Sequence, residues 1–249
     1  MFKGNFEIKV KKIPRTLLGT SPFIAAPQFG HRARLYQLDL YNQPKNILKI
    51  IRKSYNMGVR GIQVIPYPPV IDAVNWAMEE GFRLNIVGTV RPGKEKEDIK
   101  LLSQLDADAM LLHAGITDEY NWEFISTYLK QIRDDNSICG LVTHYPFQTT
   151  EKLLKSPVRD QFDIYMIPVN KIGYLMDCDV FMAKERVKLG DLIKDLDKTV
   201  IAKKTLAAGI LTPEDAFNYL KTVDFADLIT VGIASETEAE ETFGILADK

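Results

Sequence analysis

The chain is poor in the residues that most directly advertise chemistry: 249 residues hold two cysteines and three histidines. Cys139 and Cys178 form neither a Cys-x-x-Cys pair nor a dense cysteine pattern. That excludes a zinc ribbon and a disulfide framework, and two buried thiols in a reducing compartment are expected. No apolar run approaches the about 20 residues that cross a bilayer, and "MFKGNFEIKV" lacks the core of a signal peptide, so a cytoplasmic chain with no membrane partner is expected. Charge of one sign is missing too. Thirty-two basic against thirty-three acidic residues leave a net charge of −1, no field to gather nucleic acid or an anionic surface. The basic run "KVKKIPR" is local and reads as a solvated hairpin edge. Linkers and low-complexity segments are absent, and 1–249 reads as one domain.

What is present is apolar material in a regular order. Hydrophobic residues make up 46% of the chain and aromatics 10%, enough to cover a sizeable core. Eight apolar runs follow one another about every thirty residues: "TLLGTSPFIA", "GIQVIPY", "LNIVGTV", "AMLLHAG", "ICGLVTHY", "IYMIPVN", "TVIAKKTL" and "LITVGIAS". Both faces of these runs are apolar, as buried parallel strands require. Between them, segments such as "NILKIIRKSYNMGV" repeat apolar residues at i, i+3, i+4 and i+7, the spacing of a helix with one packed face. Thr212, Pro213, Glu214 and Asp215 form a helix start, with a capping hydroxyl, proline at the first helical position and acid in the first turn. Eight βα units in this length point to a closed (βα)8 TIM barrel rather than an open doubly wound sheet. Residues 1–14 alternate like a hairpin that could plug its N-terminal end.

In such a barrel, active sites form where the strands end. His113 ends the fourth strand, His144 the fifth, and His31 lies in the long loop after the first. All three therefore fall on one face. Lys203 and Lys204 end the seventh strand, where neighbours should point to opposite sides, one toward the axis and one toward the helices. A lysine in a dry barrel can form a Schiff base; the plainer reading is a structural or anion-binding group.

The order of these segments resembles the aldo-keto reductase superfamily. "LLGTSPF…QFG" is similar to its first strand and loop, "DADAMLLHAG" to its fourth strand ending in histidine, and "CGLVTHYPFQTTEKLL" and "FDIYMIPVNKIGYLM" to its fifth and sixth. "TVIAKKTLAAGILTPEDAFNYL" and "LITVGIASETEAEE" are similar to the seventh and eighth. The resemblance implies a barrel that reduces carbonyls with aspartate, tyrosine, lysine and histidine, the tyrosine being the proton donor. Of these only His113 stands where the family has its residue. The second strand ends in "VIPYPPVIDAV", with no aspartate and with Tyr67 too early for the family's tyrosine. The third ends in "GTVRPG", where Thr89 or Val90 replaces the lysine and Arg91 cannot share a proton as lysine does.

The resemblance also implies where a dinucleotide, NAD(P)(H), would sit. Thr143, His144 and Asn170 would face the nicotinamide amide; Gly209, Gly232 and Ser235 would face its phosphates, beside a helix N-terminus. The last loop, "ASETEAEE", has no cation for a 2′-phosphate, so NADPH gains no advantage over NADH there. The favoured expectation is an enzyme whose acid-base set has been replaced, with His113, His144, Tyr67 and Lys204 acting on a small phosphate- or carbonyl-bearing metabolite. Two other readings stand beside it: a ligand-binding barrel without turnover, and a hydrolase or lyase in which His31, His113 and His144 gather a metal. No oligomeric state is assigned.

Overall fold

Residues 2–247 are described by the computed structural model of the chain. It opens with an antiparallel hairpin, β1 (Asn5–Ile8) and β2 (Lys11–Pro14), turning through Lys9 and the exposed Val10. Strand alternation sends Ile8 and Ile13 into the N-terminal end of the barrel, where they join Leu17, Leu111 and Ile164 on the axis. The hairpin is therefore a plug. Its basic run is neutralised locally: Lys9 pairs with Asp163 at 2.8 Å, Lys11 with Asp108 at 3.5 Å and Lys12 with Glu7 at 3.0 Å.

Eight parallel strands close the barrel: β3 (Thr16–Gly19), β4 (Gly61–Val64), β5 (Asn85–Val90), β6 (Ala109–Leu112), β7 (Ile138–Val142), β8 (Ile164–Pro168), β9 (Thr199–Lys203) and β10 (Leu228–Gly232). β10 pairs with β9 on one side and with β3 on the other, Thr230 opposite Leu17. Every residue of β4, β6, β7 and β8 is buried, as expected of strands with helices outside and a packed axis inside. On the axis, Gly140 leaves room for Leu111 and for the Ile164 carbonyl; a Cβ would overlap both.

Eight helices wrap the outside: α2 (Pro44–Asn56), α3 (Pro68–Glu79), α4 (Glu95–Gln104), α6 (Trp122–Asp134), α7 (Pro146–Leu153), α8 (Ala183–Leu196), α9 (Pro213–Leu220) and α10 (Glu236–Ala247), with α1 (Arg32–Asp39) and the single turn α5 (Ala114–Thr117) inserted in loops. The expected apolar face of α2 is buried through Ile47, Leu48, Ile50, Ile51 and Ser54. Thr212 caps α9 by accepting from the Asp215 N–H. Among the described residues, no helix is long and apolar enough to cross a membrane.

Two expectations need correction. The first barrel strand stops at Gly19 rather than running to Ala25, because Pro22 and Pro27 start 3-10 turns and have no N–H to give a ladder. Cys139 is buried as expected, but Cys178 is only half-buried, in the loop between β8 and α8. The Cys139 thiol is pushed up to about 11, chiefly by burial, which leaves it inert at neutral pH.

Candidate active site

The C-terminal ends of the strands surround a cavity of about 1040 Å³. Its floor is built by strand alternation. Ile201 points to the axis, so Lys203 does as well, and Val142 carries His144 to the same side. Pairing of Val142 with Met166 and of Pro168 with Lys203 puts His144 and Lys203 at one height, with β8 between them. Interior layers of such barrels are contributed by alternate strands, and these two belong to one layer. Lys203 Nζ lies 3.2 Å from His144 Nδ1.

Lys204 does not turn toward the helices as a continuing strand would send it. Its φ of 57° ends the strand in the left-handed region and returns its side chain to the cavity, where Nζ lies 3.3 Å from the same His144 Nδ1. The expected division of the two lysines is thus corrected: both amines converge on one imidazole. Among the described residues neither forms an ion pair.

His113 answers its strand position. The ring lines the cavity and stacks edge-on against His144 with centroids 5.7 Å apart. Its Nδ1 accepts from the Gly115 N–H at 2.9 Å, so the neutral ring carries its proton on Nε2. Burial, then the charges of Lys203 and Lys204, lower its pKa to about 4; the same causes, with His113 added, lower His144 to about 2. Both imidazoles are neutral at pH 7. Lys204 is lowered to about 8 by burial, against a pull from Asp118. Lys203 falls well below the ordinary lysine range through burial and the neighbouring Lys204, again opposed by Asp118.

Asp118 organises this corner without touching the amines. It accepts from Thr143 Oγ1 at 2.5 Å, from Thr149 Oγ1 at 2.8 Å and from the His144 N–H at 2.9 Å, fixing the end of β7. At the ends of β4 and β5 the cavity is neutral: Gln63 Nε2 donates to Thr89 Oγ1 at 2.9 Å. Tyr67 lines the wall, its ring 4.6 Å beneath the Arg91 guanidinium, which Asp98 holds through Nε and Nη2 at 2.9 and 2.6 Å. Over the mouth, the Tyr174 hydroxyl donates to the Gln28 carbonyl at 2.9 Å, tying together the loops that follow β8 and β3.

Of the residues expected to hold a dinucleotide, His144, Gly209 and Gly232 line the cavity, while Thr143, Asn170 and Ser235 are committed elsewhere. The Thr143 hydroxyl serves Asp118 and the Tyr145 N–H. Asn170 spends its amide on the Tyr174 N–H and carbonyl, and does not line the cavity. Ser235 caps α10 by accepting from the Glu238 N–H, while the Glu238 carboxylate takes the Ala234 N–H that an anion would use. Pro22 packs on Gly232, and the Arg32 guanidinium lies against Gly209. Thr143, Asn170 and Ser235 therefore do not serve a dinucleotide as expected, whereas Gly209, with Arg32 beside it, faces the cavity. The metal expectation also fails: His31 is exposed outside the cavity, and among the described residues no three of His, Cys, Asp or Glu gather as ligands.

Four contributors lay outside the sequence reading: Gln63, Asp118, and the hydroxyls of Thr205 and Thr230. The last two line the cavity, 2% and 7% exposed, and have no hydrogen-bond partner. Buried hydroxyls are normally satisfied, and these two stand unpartnered on the cavity wall next to Lys203 and Lys204 in strand register.

Comparison with known proteins agrees with the barrel. No family model matches the chain, and no curated protein matches its sequence. Among solved structures, it is similar to an aldo-keto reductase from Klebsiella pneumoniae in complex with NADPH, at 14% identity and TM-score 0.63, covering 100% of this chain and 91% of that one. An aldo/keto reductase from Brucella melitensis aligns at 12% identity and TM-score 0.65 over 97% and 92% of the two chains. A glycerol dehydrogenase from Gluconobacter oxydans aligns at 11% identity and TM-score 0.63 over 100% and 95%. The chain has the aldo-keto reductase fold.

Proposed function

We propose that this barrel is an enzyme acting at its C-terminal face on a small carbonyl-bearing metabolite with a carboxylate or phosphate, through amine and imidazole chemistry rather than hydride transfer. The observation that carries the reading is the convergence of Lys203, Lys204, His113 and His144 in one cavity with no ion-paired carboxylate among the described residues. An ammonium at Lys204 offers a charge for the substrate's anion, and the Nε2–H of His113 a donor for its carbonyl oxygen. The set that would support reduction is replaced by the neutral pair Gln63 and Thr89 and by a tyrosine pinned under Arg91.

The test is a panel of 2-oxo acids and phosphorylated aldoses and ketoses, followed by NMR for product and by thermal shift for binding. Turnover or a saturable shift that falls in His113→Ala supports the reading. Absence of both across the panel overturns it.

A further inference from the structure

Resting on that proposal, we infer that Lys203 is a covalent nucleophile that forms an imine with the substrate's carbonyl carbon, beside Lys204 as the ammonium that anchors the substrate's anion. Two amines adjacent in sequence would ordinarily diverge. Here the left-handed Lys204 turns the second one back, and both stand within 3.3 Å of one imidazole nitrogen. Unlike the lysines of the hairpin, each of which is satisfied by a carboxylate, these two have no ion pair among the described residues. Burial and the adjacent charge favour the neutral, nucleophilic form of Lys203. The ionisable groups acting on it are Lys204 on its own strand end, His144 and His113 on the ends of β7 and β6, and Asp118 behind Thr143.

The step balances without an oxidant or a reductant. The Lys203 nitrogen pair attacks the carbonyl carbon, a C–N bond forms and the C=O π pair moves to oxygen. One proton passes from the nitrogen to the alkoxide oxygen, while the neutral His144 Nδ1 accepts a hydrogen bond from the amine and so aims its nitrogen. Loss of the hydroxyl with a second proton releases water and leaves C=N, so both amine protons end in the water. His113 Nε2–H faces the oxygen through this change, and the open hydroxyls of Thr205 and Thr230 serve the rest of the substrate.

The probe is 2,4-pentanedione at pH 7, which converts a neutral lysine to a stable vinylogous amide with release of water, followed by peptide mass mapping. Labelling of Lys203 should exceed that of any surface lysine on the order of tenfold or more, because ordinary lysines are almost wholly protonated at that pH. Lys203→Met should abolish it with the fold intact by circular dichroism. Lys204→Met should move the pH profile of Lys203 labelling toward alkali, and Lys204→Arg should restore it. Labelling confined to Lys204 or to surface lysines, or none, overturns the assignment. Thermal shift with pyruvate and with dihydroxyacetone phosphate separates the two claims: saturable binding without an adduct removes the covalent role alone, whereas no binding of any anionic carbonyl removes the functional reading beneath it.

Discussion

Lys203 and His144 meet at 3.2 Å from strands that are not neighbours, reaching across β8 from either side. The contact follows from barrel geometry, in which alternate strands fill one interior layer, and it places an amine against an imidazole where aliphatic side chains fill the layers below. A pairing that burial opposes stands at the cavity end of the barrel, and its energetic consequences can be measured.

Replacing Lys203 with methionine should stabilise the protein at neutral pH while removing activity. The methylene stem is kept and a poorly solvated amine is lost, a gain of about 1–3 kcal/mol. Urea denaturation at pH 7 checks it, and a loss of stability would show that the amine has a structural partner.

His113→Ala should behave in the opposite sense. The ring lines a cavity rather than the core, and its one hydrogen bond, from Gly115, is worth about 0.5–1.5 kcal/mol. Turnover should fall on the order of 10²–10⁴-fold if the imidazole moves protons or orients the carbonyl. Denaturation and steady-state kinetics on one preparation separate the two effects.

Stability should fall on acidification through a window set by these two rings. Their folded pKa values, about 4 and about 2, lie below the ordinary histidine value, so between pH 6.5 and 4 the unfolded chain binds more protons than the folded one. Each ring then costs up to about 1.4 kcal/mol per pH unit as pH falls; His113 stops contributing near pH 4 and His144 continues below. A His113→Phe, His144→Phe double variant should flatten the midpoint-against-pH curve between pH 6.5 and 4.

Asp118 should prove more important to folding than any cavity residue. Asp118→Ala removes the acceptor of the Thr143 and Thr149 hydroxyls and leaves the His144 N–H without a partner, while Thr149 keeps the Tyr120 hydroxyl, for a loss of about 2–4 kcal/mol. Asp118→Asn should cost less. Thermal melts of the two variants give the order.

Reduction of generic aldehydes with NADPH should be absent or very weak. Losing a tuned proton donor alone costs on the order of 10²–10⁴ in rate, and the ends of β4 and β5 carry the neutral pair Gln63 and Thr89 with no acid or amine to tune a donor. Nicotinamide absorbance with an aldehyde panel is the assay, and ordinary reductase rates would place a donor that Tyr67 and Gln63 do not explain.

Barrel, strand order, plug and the positions of His113 and His144 were legible because they depend on periodicity, which the chain carries locally. The convergence of the lysines was not. It turns on one backbone angle at Lys204, and a strand pattern assigns neighbours to opposite faces by default. Asp118 was equally hidden: in "HAGITDEY" it reads as turn chemistry, and its purpose appears only when Thr143 and the His144 N–H arrive from the next strand. Small residues at 209, 232 and 235 suggested an anion seat, but Glu238 from the same helix satisfies the N–H that such a seat would use. Arg32 supplies beside Gly209 the cation that the last loop lacks, from a segment far away in sequence.

The loop after β9 carries Lys204, Ala207, Ala208 and Gly209 at φ values of 57°, 47°, 56° and 85°. For a residue with a Cβ this region costs about 1–2 kcal/mol, and for a β-branched one considerably more. Permitted substitutions at the left-handed positions of "KKTLAAG" are therefore graded by backbone tolerance as well as by size and polarity. Glycine should be accepted at 207 and 208 and asparagine at the partly exposed Ala208, whereas valine, isoleucine and threonine should be rejected even at Ala208, where bulk alone would give no reason. Any drift in this segment that relaxes Lys204 out of its left-handed turn would separate the two amines and dismantle the site without altering one residue that forms it.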